Sequence, residues 1–280
     1  MTRRYSLRQA HGEYIVFVDS DDYVDKTLLE TLSNTFDRHH TDMVIYNFKR
    51  FEDGSSDYSS PDIPYPDGTI FSGSGKQELY CRYLISHLFV NMWVKAVRRS
   101  CIDIDEDYSR WKMNLGEDII QSFALFDRCE SILYIDKKLY YYRKNEGGMT
   151  TKVKPTDFID FLKHYEISKC YLERWKLPTD TAKQFYARQI GKFYSYLRNL
   201  KEKMKAASDI PSFDKTVQSL IQDERFLDIC NHYEADKVLS SYTLRIEIFR
   251  YAVLHQNAGM VKWIISVSNF FGGIGNAKHR

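Results

Sequence analysis

Glycine and proline are scarce, 13 and 6 among 280 residues, and neither recurs at a fixed period, which excludes collagen-like and low-complexity polymers. Cysteine is scarce as well. Cys81, Cys101, Cys129, Cys170 and Cys230 are odd in number, widely separated and never spaced C-x-x-C, so neither a zinc cage nor a disulfide framework is expected, and a reducing cytosol suits them. No long apolar run is present. The longest one near the C-terminus, 260–271, is broken by Lys262, Ser266, Ser268 and Asn269, too short and too polar to span a bilayer. The basic N-terminal residues precede no apolar core, so no secretory signal is expected. Excess charge of one sign is also missing: 40 Lys and Arg against 38 Asp and Glu exclude general nucleic-acid binding.

What is present is 43% hydrophobic, 28% charged and 15% aromatic residues, including 21 Tyr and 17 Phe, enough for one large core or two small ones. Charge is unevenly spread. Residues 1–150 hold 19 basic and 24 acidic side chains, and residues 151–280 hold 21 and 14. An acidic first part suits a cation site and a basic second part suits anionic lipid or phosphate, although an ordinary uneven surface accounts for both.

Residues 14–18 form a β-branched apolar run that stops at Asp19, Ser20, Asp21 and Asp22, the pattern of a buried parallel strand with acids at its C-terminal end. Asp25 can cap a following helix in which Leu28, Leu29, Leu32 and Phe36 share one face, and 43–48 reads as a second strand. Such a β-α-β unit binds ligands beyond the carboxyl ends of its strands, so the acidic cluster is the candidate ligand site. Residues 52–76, rich in Asp, Ser, Gly and Pro, predict a long loop or irregular hairpin. Helices are predicted over 77–89 and 117–127, with Glu117 and Asp118 in the first turn of the second. Two short strands, 132–135 and 139–143, are predicted around Asp136, Lys137 and Lys138. After Thr151 the period is helical, over 158–175, 181–205, 213–230 and 244–263. The basic cluster Arg198, Lys201, Lys203 and Lys205 reads as a solvated face, with membrane contact as the alternative.

Asp19, Asp21 and Asp22 crowd three carboxylates at one strand end, where repulsion is costly unless a cation or strong donors offset it. Magnesium and manganese accept one or two carboxylates together with phosphate oxygens, which suits this D-x-D spacing; an acidic helix start is the plainer alternative. A calcium loop fails, because Val24 stands where its sharp turn needs glycine. A second acidic motif, Asn114-Leu115-Gly116-Glu117-Asp118, places a carboxylate pair at a helix start, able to hold a general base or simply to cap.

Four segments taken in order resemble the family 2 glycosyltransferases with a GT-A fold, bacterial enzymes that build capsular, exopolysaccharide and lipopolysaccharide chains. Residues 10–22 resemble the family's strand and D-x-D motif, and Asn91-Met92-Trp93-Val94-Lys95 its central Trp/Lys segment. Gly116-Glu117-Asp118 resembles its E-D motif, and Tyr140-Tyr141-Tyr142-Arg143 with Gly148-Met149-Thr150 the stretch closing the catalytic domain. The resemblance covers residues 3–151. It departs at the N-terminus: the family's strands ending in Pro-x-Tyr-Asn and Asp-Asp-Gly-Ser are not found, and Arg4 and Ser6 replace the usual Asn and Gly, while Arg3 is retained. The expected fold is therefore α/β, a truncated Rossmann-like mixed sheet of GT-A type with exposed apolar edges over 1–151, then an all-helical region over 152–280.

The resemblance implies transfer of a sugar from a nucleotide donor, a UDP-sugar in preference, to a glycan or lipid-linked acceptor with inversion. Asp21 would bind Mg2+ or Mn2+ with Asp19, and Asp19, Asp22 and Arg143 would serve the nucleotide and its phosphates. Asp118 would be the catalytic base, Glu117 its support, and Trp93 an acceptor contact. The expected location is cytoplasmic, with peripheral contact at the inner face of the plasma membrane through the basic tail as the alternative. Two alternatives stand beside this reading. One is a non-catalytic remnant that binds another protein; the other is a metal-dependent phosphohydrolase, disfavoured by Tyr23 after the acidic cluster.

Overall fold

A computed structural model describes residues 2–52, 58–106, 113, 116–143, 153–234 and 241–267 of the chain. Gly148-Met149-Thr150, Asn114, Leu115 and 268–271, all singled out in the sequence, lie outside the described residues. The chain divides into two compact units, 1–151 and 152–280.

The first unit begins with helix α1 (Thr2–Gln9), strands β1 (Tyr14–Val16) and β2 (Tyr23–Val24), helix α2 (Leu28–His39) and strand β3 (Met43–Phe51). It continues with β4 (Thr69–Ser72), α3 (Lys76–Ser86), β5 (Lys95–Arg98), α4 (Glu117–Arg128) and β6 (Ser131–Arg143). The strands form one sheet in the order β1-β5-β3-β6-β2, with β4 also on β6. Burial explains the long elements. Met43, Val44, Ile45, Ile132, Leu133 and Tyr134 are fully buried where β3 and β6 run parallel, and α2 buries Leu28, Leu32 and Phe36, the last stacked on Tyr14 of β1. Asp25 Oδ1 accepts from the Thr27 amide at 2.9 Å and its hydroxyl at 2.7 Å, which fixes the entry to α2.

β1 and β3 run parallel to each other as a β-α-β unit requires, but the sheet is mixed rather than parallel, since β5 lies between them and is antiparallel to both. Two expectations are corrected. The stretch 52–76 is not loop throughout, since β4 pairs antiparallel with β6 from Thr69↔Tyr134 to Ser72↔Ser131. Residues 132–143 are one strand, not a hairpin: β6 carries an irregularity opposite Tyr46 and Asn47. Asn47 Nδ2 donates to Asp136 Oδ1 at 2.7 Å and Asn47 Oδ1 accepts from the Phe48 amide at 2.8 Å, so side-chain bonds replace the ladder there. Beyond this irregularity β6 is flanked by β2, with Tyr23 opposite Tyr141.

The second unit is helical throughout its described residues: α5 (Asp157–Arg174), α6 (Thr179–Ala206), α7 (Ile210–Ile221), α8 (Glu224–His232), α9 (Ser241–Leu254) and α10 (Ala258–Val267). Phe185, Phe193, Phe213, Phe226 and Phe249 form its core. Two predicted helices are each divided. Asp223 caps α8 by accepting from the Arg225 amide at 3.0 Å, and Asn257 Oδ1 accepts from the Met260 amide at 2.9 Å to restart the chain as α10. Among the described residues no helix is long and apolar enough to cross a membrane.

Candidate active site

The acidic cluster sits on a turn between β1 and β2, closed by the Asp22 amide donating to the Asp19 carbonyl at 3.2 Å. Tyr140 on β6 stitches this turn. Its hydroxyl accepts from the Asp19 amide at 3.1 Å and donates to Asp22 Oδ2 at 2.7 Å, while the Arg143 amide donates to Asp22 Oδ1 at 2.8 Å. Both Asp22 oxygens are thus engaged by the fold. Burial raises the Asp22 pKa, countered by those two donors.

Asp118 enters from α4, whose preceding residue, Gly116, has φ 79°, a left-handed conformation that glycine adopts without strain. The Met92 amide donates to Asp118 Oδ2 at 3.2 Å. Arg3 of α1 hydrogen-bonds Asp118 Oδ1 through Nη1, and its Nη2 lies 3.8 Å from Asp19 Oδ1. One guanidinium therefore bridges the two acidic motifs. Burial lowers the Arg3 pKa, but Asp118, Asp19 and Glu117 together hold it above its ordinary value. Asp19 is held above the usual carboxylate range, first by burial and then by Asp118, Asp22 and Asp21, against the pull of Arg3.

Beside this cluster is a cleft of about 570 Å³ lined by Arg3, Ser6, Leu7 and Ala10 of the N-terminal segment, by 15–20, and by Glu117 and Gln121. The lining mixes apolar Leu7, Ala10, Ile15 and Val16 with charged Arg3, Asp19 and Glu117, the composition of a small-molecule site. Glu117 is exposed at its wall, and Asp21, which follows the lining Ser20, is exposed too. Among the described residues no group of three or more His, Cys, Asp or Glu could hold a metal by itself. Asp19 and Asp21 on one turn nonetheless supply the two hard oxygen donors that Mg2+ or Mn2+ takes when phosphate completes its shell. With only these two carboxylates from the turn as donors, a metal here would need a ligand's oxygens to complete its shell.

Trp93 requires a correction. It is 5% exposed, its ring stacked on Tyr140 at 4.4 Å and on Tyr142 at 5.5 Å, with Phe48 edge-on at 4.7 Å and its carbonyl accepting from Tyr46 Oη at 2.7 Å. It is a core residue that braces Tyr140, with no open face for an acceptor. Arg143 lies instead over the rings of Tyr23 and Phe51, at 5.0 and 5.8 Å, and hydrogen-bonds the Tyr23 hydroxyl.

Sequence reading assigned no function to Arg3, Tyr140 or Lys95. Lys95 is fully buried; its ammonium donates to the carbonyls of Asn91 (2.6 Å) and Val90 (3.2 Å) and to Ser122 Oγ (3.0 Å). It ties the 90–92 turn, which supplies the Met92 amide, to α4, which carries Asp118. A signal existed: a lysine inside Val94-Lys95-Ala96-Val97 breaks an otherwise apolar run.

The sequence profile of glycosyl transferase family 2 matches residues 2–102. The poly(ribitol-phosphate) beta-N-acetylglucosaminyltransferase TarS of Staphylococcus aureus is 25% identical over 165 residues, 58% of this chain and 26% of that protein. The cholesterol galactosyltransferase of Borreliella burgdorferi is 23% identical over 157 residues, 54% of this chain and 43% of that one. The chain spans less than half the length of either relative. The crystal structure of S. aureus TarS 1-349 in complex with UDP-GlcNAc matches with a TM-score of 0.57 at 16% identity, covering 96% of this chain and 71% of that one; at such identity the likeness is one of fold. Over residues 2–102 the sequence matches the family 2 glycosyltransferases, and the mixed sheet has the GT-A fold of the TarS structure.

Proposed function

We propose that the first unit transfers a sugar from a nucleotide-sugar donor, a UDP-sugar in preference, to a hydroxyl of a glycan or lipid-linked acceptor in bacterial surface polysaccharide synthesis, inverting the anomeric carbon. The observation that carries this reading is the convergence of Asp19 and Asp118 on Arg3 beside a cleft large enough for a nucleotide. Asp118 takes the proton of the acceptor hydroxyl as that oxygen attacks the anomeric carbon and the bond to the nucleoside diphosphate breaks. The Met92 amide orients its carboxylate, and Glu117 supports it from the same helix turn. An entering diphosphate competes with both carboxylates for Arg3, which frees Asp118 for the proton. Asp21 and Asp19 hold Mg2+ or Mn2+, which when bound neutralises charge on the departing diphosphate. Asp22 keeps the turn in shape through Tyr140 and Arg143 rather than binding the donor. Contact with anionic lipid at the inner face of the plasma membrane, through the basic stretch 198–205 of α6, belongs to the same proposal.

The test is calorimetric titration of UDP into the chain with and without Mn2+. Manganese-dependent binding that Asp21→Asn abolishes is expected. A folded chain that binds no UDP under either condition refutes the donor site and favours the non-catalytic reading.

A further inference from the structure

The end of β6 has two faces with different contents. Tyr140 and Tyr142 point to one side and stack on Trp93, next to the acidic turn. Tyr141 and Arg143, alternating with them, point to the other side. There Tyr141, Tyr58, Phe51 and Tyr23 make a continuous chain of ring contacts. Centroids are 6.1 Å apart from Tyr141 to Tyr58, 6.1 Å from Tyr58 to Phe51 and 5.4 Å from Phe51 to Tyr23. A bridge between Arg50 and Ser59, with bonds of 2.6 and 3.1 Å, holds the Tyr58 backbone against β3.

Two cations sit among these rings. Lys49 Nζ is 5.6 Å from the Tyr58 centroid and 5.5 Å from that of Tyr141, and the Arg143 guanidinium covers Tyr23 and Phe51. Lys49 makes no ion pair among the described residues, and the nearby Asp25 is engaged by Thr27 and by the Tyr141 hydroxyl, at 3.2 Å. Tyr23 and Tyr58 are 52% and 55% exposed, so two large rings face solvent beside the Lys49 and Arg143 cations.

We infer that this face binds an anionic glycan chain, away from the reacting groups on the opposite side of β6. Sugar rings present flat C–H faces that stack on exposed tyrosines, which lose little rotamer freedom, while tyrosine hydroxyls bond the ring hydroxyls. The ammonium of Lys49, held over two rings, is placed for a phosphate or carboxylate between sugars. The inference rests on the proposed sugar transfer for its choice of a glycan over another anion. A platform on this face would retain a growing chain between additions and raise its effective concentration at the acidic site.

The experiment is native affinity electrophoresis of the whole chain in gels containing phosphomannan, polygalacturonate or neutral dextran. Tyr58→Ala, Lys49→Gln and the parent chain are compared, with UDP titration and sedimentation velocity on each. Retardation by at least one anionic polymer and less by dextran is expected; the two polymers separate phosphate from carboxylate preference. Tyr58→Ala is expected to weaken it about five-fold, Lys49→Gln to erase the preference over dextran, and UDP binding to stay as in the parent. Glycan binding lost in Tyr58→Ala by a chain that binds no UDP keeps the platform and refutes only the donor site. Equal retardation of parent and variants, no retardation at all, or equal retardation by dextran overturns the inference. So does a change in oligomeric state on Tyr58→Ala, which would make this face a contact between copies.

Discussion

Replacing Lys95 with methionine tests how a buried charge is built into the candidate active site. Lys95 has no exposed surface, and burial pushes its pKa from 10.5 down to about 7, with Asp118 opposing the shift and Arg3 adding to it. Between these two values the unfolded chain binds a proton that the folded chain lacks, so unfolding takes up a proton and stability rises with pH. Below the window both states are charged and the full penalty of burying the ammonium is present; above it both are neutral and the penalty is gone. From pH 7 to 9 this contributes about 2 kcal/mol in favour of the native protein. Methionine fills the space without titrating, but leaves the Asn91 carbonyl without its 2.6 Å donor, at a cost of about 1–3 kcal/mol. The Val90 carbonyl keeps the Ser122 hydroxyl, at 2.8 Å. Urea unfolding of both proteins at pH 7, 8 and 9 gives the difference in stability, in which contributions shared by the two chains, such as that of Lys192, cancel. The difference is expected to grow by about 2 kcal/mol in favour of the parent over this range. A difference independent of pH would refute the reasoning, since Lys95 would then carry the same charge in both states throughout.

Asp118→Asn is expected to leave UDP binding intact and lower sugar transfer by about a hundred-fold or more, read as UDP release with an acceptor present; an equal loss of both would deny it the role of base. Tyr140→Phe removes the hydroxyl that joins Asp19 to Asp22. It is expected to cost about 1–3 kcal/mol in urea unfolding and to weaken manganese-dependent UDP binding, whereas a fall in stability alone would make the tyrosine structural only. Arg198→Gln with Lys205→Gln is expected to reduce sedimentation with phosphatidylserine vesicles at low salt; unchanged sedimentation removes membrane contact from the proposal.

Local pattern was enough for α2 and α4, because each repeats apolar residues on one helical face, Leu28, Leu32 and Phe36 in the first and Ile119, Ile120, Phe123 and Phe126 in the second. It was not enough for β4, hidden in a Pro, Gly and Asp-rich stretch, nor for β6, whose polar Asp136-Lys137-Lys138 mimics a turn. Those three residues are exposed because the strand leaves its ladder opposite Asn47, and a side chain contributed by another strand cannot be read from β6 itself. The helical second unit was visible by its period, while the breaks at Asp223 and Asn257 depend on caps one residue long.

The sequence by itself determined the family resemblance and which carboxylates to consider, since acidic residues after a strand and at a helix start are local patterns written in a few consecutive letters. Only the tertiary structure decided what those carboxylates face. Arg3, Asp19 and Asp118 come from α1, the β1 turn and α4. Nothing in their spacing states that one guanidinium lies between two acids. The same holds for Trp93, which the structure turns from an acceptor contact into a brace for Tyr140, and for Lys95, whose environment is made by the 90–92 turn and α4 together. Burial, charge pairing and pKa are properties of neighbours in space, and the packing of distant segments selects those neighbours.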